Sequence, residues 1–195
     1  MTTGMPAPLE SLVAVAIGIG LAAATGFRVF APLLVAGLAA RWGVLPLADN
    51  FTWLASTGAL VTLATATVFE VAAYYVPGVD HALDLLASPA AMLAGVIASA
   101  AVMTDVPPAI LWPVAIIGGG GVAGLTKASS AVVRAKAGVT TAGLANPVVA
   151  TGETAGAVGM AVAAIVIPLV CLLVVAVLVL WLARKALRFM SRPAA

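Results

Sequence analysis

The sequence predicts an all-α polytopic membrane bundle of about six transmembrane spans, with broken helices and a faint internal hairpin repeat. Three observations predict it. Of 195 residues, 64% are hydrophobic and only 8% charged, whereas soluble domains carry roughly 25% charged residues. The mean hydropathy is +1.21, so polar groups are too few to cover a soluble surface. Several apolar runs reach the roughly 20 residues that a helical crossing needs. The 19 glycines and many alanines suit helices that approach closely in lipid. The length fits one transmembrane domain, 1–195, with a polar tail at 1–10 and a basic tail at 184–195.

The first span covers about residues 12–40, long for one crossing. The segment TGFRVFAP interrupts it, with Arg28 between Gly26 and Pro32. Glycine and proline both weaken a helix, so the reading is a broken or strongly tilted span with Arg28 at the break. Residues 1–10 hold Glu10 and no basic residue, the wrong flank for a cleavable signal, so this run is expected to be retained. Arg41 and Trp42 mark an interfacial end. GVLPLADNFTW then reads as a loop or surface piece carrying Asp49 and Trp53.

The second span covers about 54–76 and carries Glu70 before Pro77 and Gly78 end it. VDHALDLLAS reads as a short helical turn, after which Pro89 opens a third span to residue 103. The fourth covers about 110–133, with a glycine run at 118–121 and Lys127 in its second half. Arg134 and Lys136 mark its end. The glycine run lacks a phosphate-loop ending, so it reads as a kink or a close helix contact. The last apolar block, 148–183, has Glu153 in its first part and Pro168 in its middle, and is preferred as two tightly joined spans. Six spans put Arg134, Lys136, Arg184, Lys185, Arg188 and Arg192 on one side and Arg41 alone on the other. The positive-inside rule then makes both termini cytoplasmic. LLASPAAMLAG (85–95) and GLANPVVATGE (143–153) suggest two similar hairpins, as in transporter repeats.

The stretch 70–89 concentrates polar chemistry: Glu70, Asp80, Asp84, the sole histidine His81 and both tyrosines, Tyr74 and Tyr75. Arg28, Glu70, Lys127 and Glu153 all interrupt apolar runs, and each costs roughly 2.5–3.5 kcal/mol at a helix centre on insertion scales. Pairing offsets that cost, and Arg28 with Glu70 and Lys127 with Glu153 is one assignment. The set reads either as a polar pathway, with Glu70 and Glu153 in ion or proton coupling, or as a network fixing helix register. A connector cluster of Asp80, His81, Asp84 and Asn146 is the second candidate. Asp80, His81 and Asp84 have the donor types for a divalent metal. The alternative is an interfacial turn capped by Asp80. Asn146 reads as a plain N-cap or as part of an anion-attracting helix start. Any site is expected where 70–89 meets 146–153.

No nucleophile–base arrangement is visible, so an enzyme is not expected. No nucleic-acid motif and no cofactor motif is present, and the lone Cys171 allows no internal disulfide. The expected partners are the lipid bilayer and, at this size, a second copy in a homo-oligomer. The leading functional expectation is a small transporter or channel-like protein for a small polar solute or ion. A membrane scaffold or accessory subunit is the alternative.

Taken together, GFRVFAPLL (26–34), FEVAAYYVPGVDHALD (69–84), ASPAAMLAG (87–95), GGGVAGLTKA (119–128) and TTAGLANPVVATGE (140–153) resemble the bacterial membrane family of the domain of unknown function 4126. The resemblance spans about 12–188. It implies a small multi-spanning inner-membrane protein and no settled activity or ligand. It also implies that Arg28, Glu70, Pro77, Asp80, Asp84, Pro89, Asn146, Pro147 and Glu153 are positions that family members share.

Overall fold

The bundle is built around its first helix. The computed structural model describes residues 7–75, 79–104, 106–141 and 144–190, with backbone alone at 7, 79–86, 183 and 185–190. In it α1 (Ala7–Thr25) packs against α4 (Val79–Val102), α7 (Asn146–Val166) and α8 (Pro168–Met190). Ala16, Leu21, Ala22 and Ala24 of α1 are wholly buried. Small side chains on a central helix let its neighbours close in, and dispersion contacts then replace the hydrophobic drive that lipid removes. The outer faces are apolar instead: Phe69, Ile117, Val148 and Val170 are exposed. This inverted pattern marks a membrane-embedded protein.

The expected break in the first span falls at residues 26–29. Gly26, Phe27 and Arg28 close a turn by donating from their amides to Ala23 and Ala24 carbonyls, and α2 (Phe30–Arg41) follows. Helix α2 ends in a Schellman motif. Val44 donates to Ala39 O and Gly43 donates to Ala40 O, with Gly43 at φ 71°. That left-handed conformation costs glycine nothing. A 3-10 segment (Asp49–Ala55) then meets α3 (Thr57–Ala73) at a bend of 64°. The sequence places the second span's start at residue 54, but the helix begins at Thr57. Ser56 is the cause: its Oγ accepts from the Ala59 amide and caps α3.

Pro89 corrects the next expectation. It does not open a helix; it lies inside α4, which runs unbroken from Val79. A membrane helix tolerates interior proline because neighbours re-satisfy the freed backbone. After α4 come α5 (Pro108–Pro113), a wide π-helical segment (Val114–Gly120) and α6 (Gly121–Thr141), which form one continuous helical stretch. Pro113 donates no hydrogen bond and crowds the preceding turn, and the backbone widens directly after it. The glycine run gives the close contact expected of it. A Cβ on Gly119 would stand 2.8 Å from Gly95 O of α4. Helix α6 also runs on to Thr141, past the end expected near residue 133.

The last block is two helices, as preferred. Ile167 breaks the backbone (φ −134°, ψ 60°) between α7 and Pro168, the first residue of α8. By length and composition, three stretches among the described residues are long and apolar enough to cross a membrane: Pro8–Thr25, Pro108–Thr141 and Asn146–Val166. The bent pair Asp49–Ala55 and Thr57–Ala73 makes a fourth if it counts as one. Among the described residues Phe30–Arg41, Ala87–Val102 and Pro168–Leu182 are shorter apolar stretches, but the helices that hold the last two, α4 and α8, run 24 and 23 residues.

Candidate functional site

Elements converge at one end of the bundle: the α1–α2 turn, the end of α3, the second half of α6 and the start of α7. Each brings polar side chains. The turn brings Arg28, whose side chain is wholly buried (0%). Its Nη1 pairs with Glu153 Oε2 at 3.2 Å. Its Nε donates to Thr154 Oγ1 at 3.0 Å and its Nη2 to Ala150 O at 2.8 Å. All three partners lie on the first turns of α7. A helix positioned by small buried residues (Ala150, Ala157, Ala161, Ala164) turns Glu153 inward on the same face.

Helix α6 contributes Lys127, Ser130 and Arg134. Their spacing of three and four puts them on one face, continuous with buried Ala123 and Thr126. Ser130 Oγ donates to Glu153 Oε1, and Arg134 Nη2 donates to Glu153 Oε2. Lys127 Nζ donates to Tyr74 OH at 3.0 Å. Tyr74, at the end of α3, is itself buried. The guanidinium carbons of Arg28 and Arg134 each lie 4.1 Å from the centroid of its ring, and Lys127 Nζ lies 5.4 Å away. An electron-rich ring face stabilises cations there, more strongly where water is excluded.

Glu70 does a different job. Its Oε1 accepts from the Val29 amide at 2.7 Å and its Oε2 from the Phe30 amide at 3.1 Å. These are orphan donors at the start of α2, so a carboxylate on α3 caps the second half of the broken span. The pairing Arg28 with Glu70 and Lys127 with Glu153 is therefore corrected. Arg28 pairs with Glu153, Glu70 binds backbone, and Lys127 binds Tyr74. The reason is geometric: the broken helix presents the Val29 and Phe30 amides to Glu70, while the Arg28 guanidinium is turned to α7.

Beside this network lies a cavity of about 490 Å³ between α2, α3 and α4. Val29, Phe30, Phe69, Glu70, Tyr74 and Ala90 are among its walls. Tyr74 thus faces the cavity and the buried cations at once. Tyr75 OH lies 2.7 Å from Thr151 Oγ1, joining the end of α3 to the start of α7 on the outside.

Of the residues singled out from sequence, Arg28 and Glu153 meet directly. Lys127 joins them through Tyr74, and Glu70 stands next to Arg28's own turn. Arg134 and Tyr74 were not among the chosen site residues, yet both are at its centre. The stripe Ala123, Thr126, Lys127, Ser130, Arg134 was the available signal. Asn146 is corrected as an N-cap: Ala145 holds that position without a side-chain cap, and Asn146 and Pro147 form the first turn. The side chains of Asp80, His81 and Asp84 lie outside the described residues, so the connector cluster and the metal reading have no geometry here. Among the described residues no group of three potential metal ligands occurs.

No curated protein and no solved structure matches the chain. A family profile does match, over residues 15–188, and it encloses the Arg28 turn, Glu70, the α6 stripe and Glu153. The chain belongs to the family described as domain of unknown function 4126.

Proposed function

We propose that the protein is a small transporter or channel-like protein that moves a small polar solute or ion without enzymatic chemistry. In this reading it works in the cytoplasmic (inner) membrane of a bacterium, multi-pass, with both termini cytoplasmic, and pairs with a second copy. One observation carries the reading. Arg28, Lys127 and Arg134 are buried around Tyr74, with Glu153 buried on the two guanidiniums, at a helix break beside a cavity that Tyr74 helps to line. Holding this much charge out of water is costly, and well-packed apolar residues would often hold helices together as firmly. Intramembrane ionisable residues commonly line solute and proton paths, and solute sites in transporters sit where helices are interrupted.

The full-length protein reconstituted into phosphatidylethanolamine–phosphatidylglycerol vesicles tests it. The wild type is expected to carry flux of a labelled ion or solute. Glu153→Gln and Arg28→Lys, checked for intact folding by size exclusion, are expected to lose it. Folded wild type that passes neither cations nor anions would leave the scaffold reading in its place. That reading predicts that Glu70→Gln and Arg28→Ala harm folding or assembly only.

A further inference from the structure

The cavity between α2, α3 and α4 has a character that the charged site beside it does not share. Helix α3 packs along α2 and hardly touches α4, and the space of about 490 Å³ lies in that gap. Alanines keep it open: Ala66 and Ala73 line it from α3, Ala87 and Ala90 from α4. Folded interiors hold few voids larger than a water molecule, and the walls of an unfilled gap forfeit their dispersion contacts. A gap of this size is therefore a seat for a guest.

The wall decides what kind of guest. Among its lining residues only Glu70 and Tyr74 have polar side chains, and both are engaged away from the cavity. Glu70 Oε1 and Oε2 accept from the Val29 and Phe30 amides, and Tyr74 OH accepts from Lys127. A buried water needs about two to four polar partners, and a polar solute needs at least as many, so the guest is apolar. The mouth decides where it comes from. Phe69 lines the cavity yet is 70% exposed, and Val68 beside it is 67% exposed. The opening thus continues the apolar outer face of the bundle, which in a membrane-embedded protein meets the hydrocarbon core.

We propose that this cavity binds one acyl chain of a membrane phospholipid, which enters sideways between α3 and α4 and leaves its headgroup in the interface. The volume falls within the roughly 300–1,000 Å³ of ligand sites: room for a single chain, not for a whole two-tailed lipid. The chain packs against Phe69 and the Tyr74 ring, and that ring has the Arg28 and Arg134 guanidiniums 4.1 Å from its centroid. Occupancy holds the ring against the cations. Acyl-chain binding stands apart from the transport reading: the chain seals one flank of the charged site, and its detection needs no flux.

The test extracts the full-length protein from the same vesicles into a mild detergent, with free oleate added in a second arm. Lipid that survives washing is counted by native mass spectrometry. The wild type is expected to keep one phospholipid per chain, which oleate does not displace. Ala66→Leu and Ala90→Leu fill the cavity from opposite walls, and each, eluting as a single species by size exclusion, is expected to lose that phospholipid. Val170→Leu, on an exposed position of α8, is expected to keep it. A phospholipid with a photoactivatable group in its tail is expected to label the cavity walls of the wild type, at Phe69, Tyr74 or Ala90. Wild type that keeps no phospholipid, or exchanges it for oleate, overturns the proposal. So do folded Ala66→Leu and Ala90→Leu proteins that keep it, and labelling that misses the walls. Phe69→Cys in a Cys171→Ala background reports on a second copy: a disulfide-linked dimer under oxidation would show another chain over the mouth and overturn acyl-chain binding, whereas a monomer leaves the mouth to lipid.

Discussion

Glu153 and Glu70 are both carboxylates in apolar helices, but their neighbours give them different consequences when lost. Glu153 faces the buried guanidiniums of Arg28 and Arg134. Glu153→Ala removes the carboxylate that both face, and breaking a buried pair from one side costs about 3–5 kcal/mol. The loss is expected as a lower unfolding midpoint in detergent, with Glu153→Gln restoring part of it through its amide oxygen. Glu70 faces two backbone amides. Glu70→Gln keeps one acceptor and loses the charge at the start of α2, so a smaller loss of about 1–2 kcal/mol is expected from the weakened charge-assisted bonds. If Glu70→Gln proves the costlier of the two by the same measurement, the assignment of their roles is wrong. Tyr74 separates ring from hydroxyl. Tyr74→Phe keeps the ring beside Arg28 and Arg134 and loses the hydroxyl that accepts from Lys127, so it should destabilise less than Tyr74→Leu, which loses ring and hydroxyl together.

At the scale of elements, the sites of helix interruption were legible and the partners across them were not. TGFRVFAP, the glycine run at 118–121 and Pro168 all lie at real changes in the backbone, because glycine and proline act locally. Pro89 misled for the opposite reason: its cost is local, but the decision to keep the helix running is made by neighbours. Arg28, Glu70, Lys127 and Glu153 were legible because charge in an apolar run stands out. Arg134 did not, because two residues later Lys136 makes the pair look like an ordinary interfacial end. Only the spacing from Ala123 to Arg134 shows that the inward face continues. Which carboxylate meets which cation depends on how α3, α6 and α7 face the α1–α2 turn, and no single helix carries that information. That turn rests on a close approach. A Cβ on Gly26 would stand 2.6 Å from Ala123 O of α6. Gly26→Ala is therefore expected to destabilise by about 1–3 kcal/mol through overpacking. It should also push Arg28 away from Glu153, so loss of stability and loss of flux should appear together in that variant.

For the whole molecule, the open quantity is how many times the chain crosses, and the joint at Ile167 decides the last part of it. Helices α7 and α8 are separate, with Pro168 at the start of the second. If each crosses once, residues 136 and 184 lie on the same side. If the block 146–190 crosses only once, they lie on opposite sides. Basic residues argue for the first: exposed Lys136 before the block and Arg184, Lys185, Arg188 and Arg192 after it favour one face together. Cys171 is the sole cysteine and is buried, so Cys171→Ala gives a cysteine-free background with little change in packing. Lys136→Cys and Arg184→Cys in that background are expected to react with a membrane-impermeant maleimide from the same side, and Arg41→Cys from the other. Opposite labelling of positions 136 and 184 would show a single crossing and remove the charge-based orientation of the C-terminal tail. It would also leave Glu153, Thr154 and Ala150 at the same end of the bundle as Arg28, because those contacts are set by α7 alone. The charged site and the topology are thus tested independently.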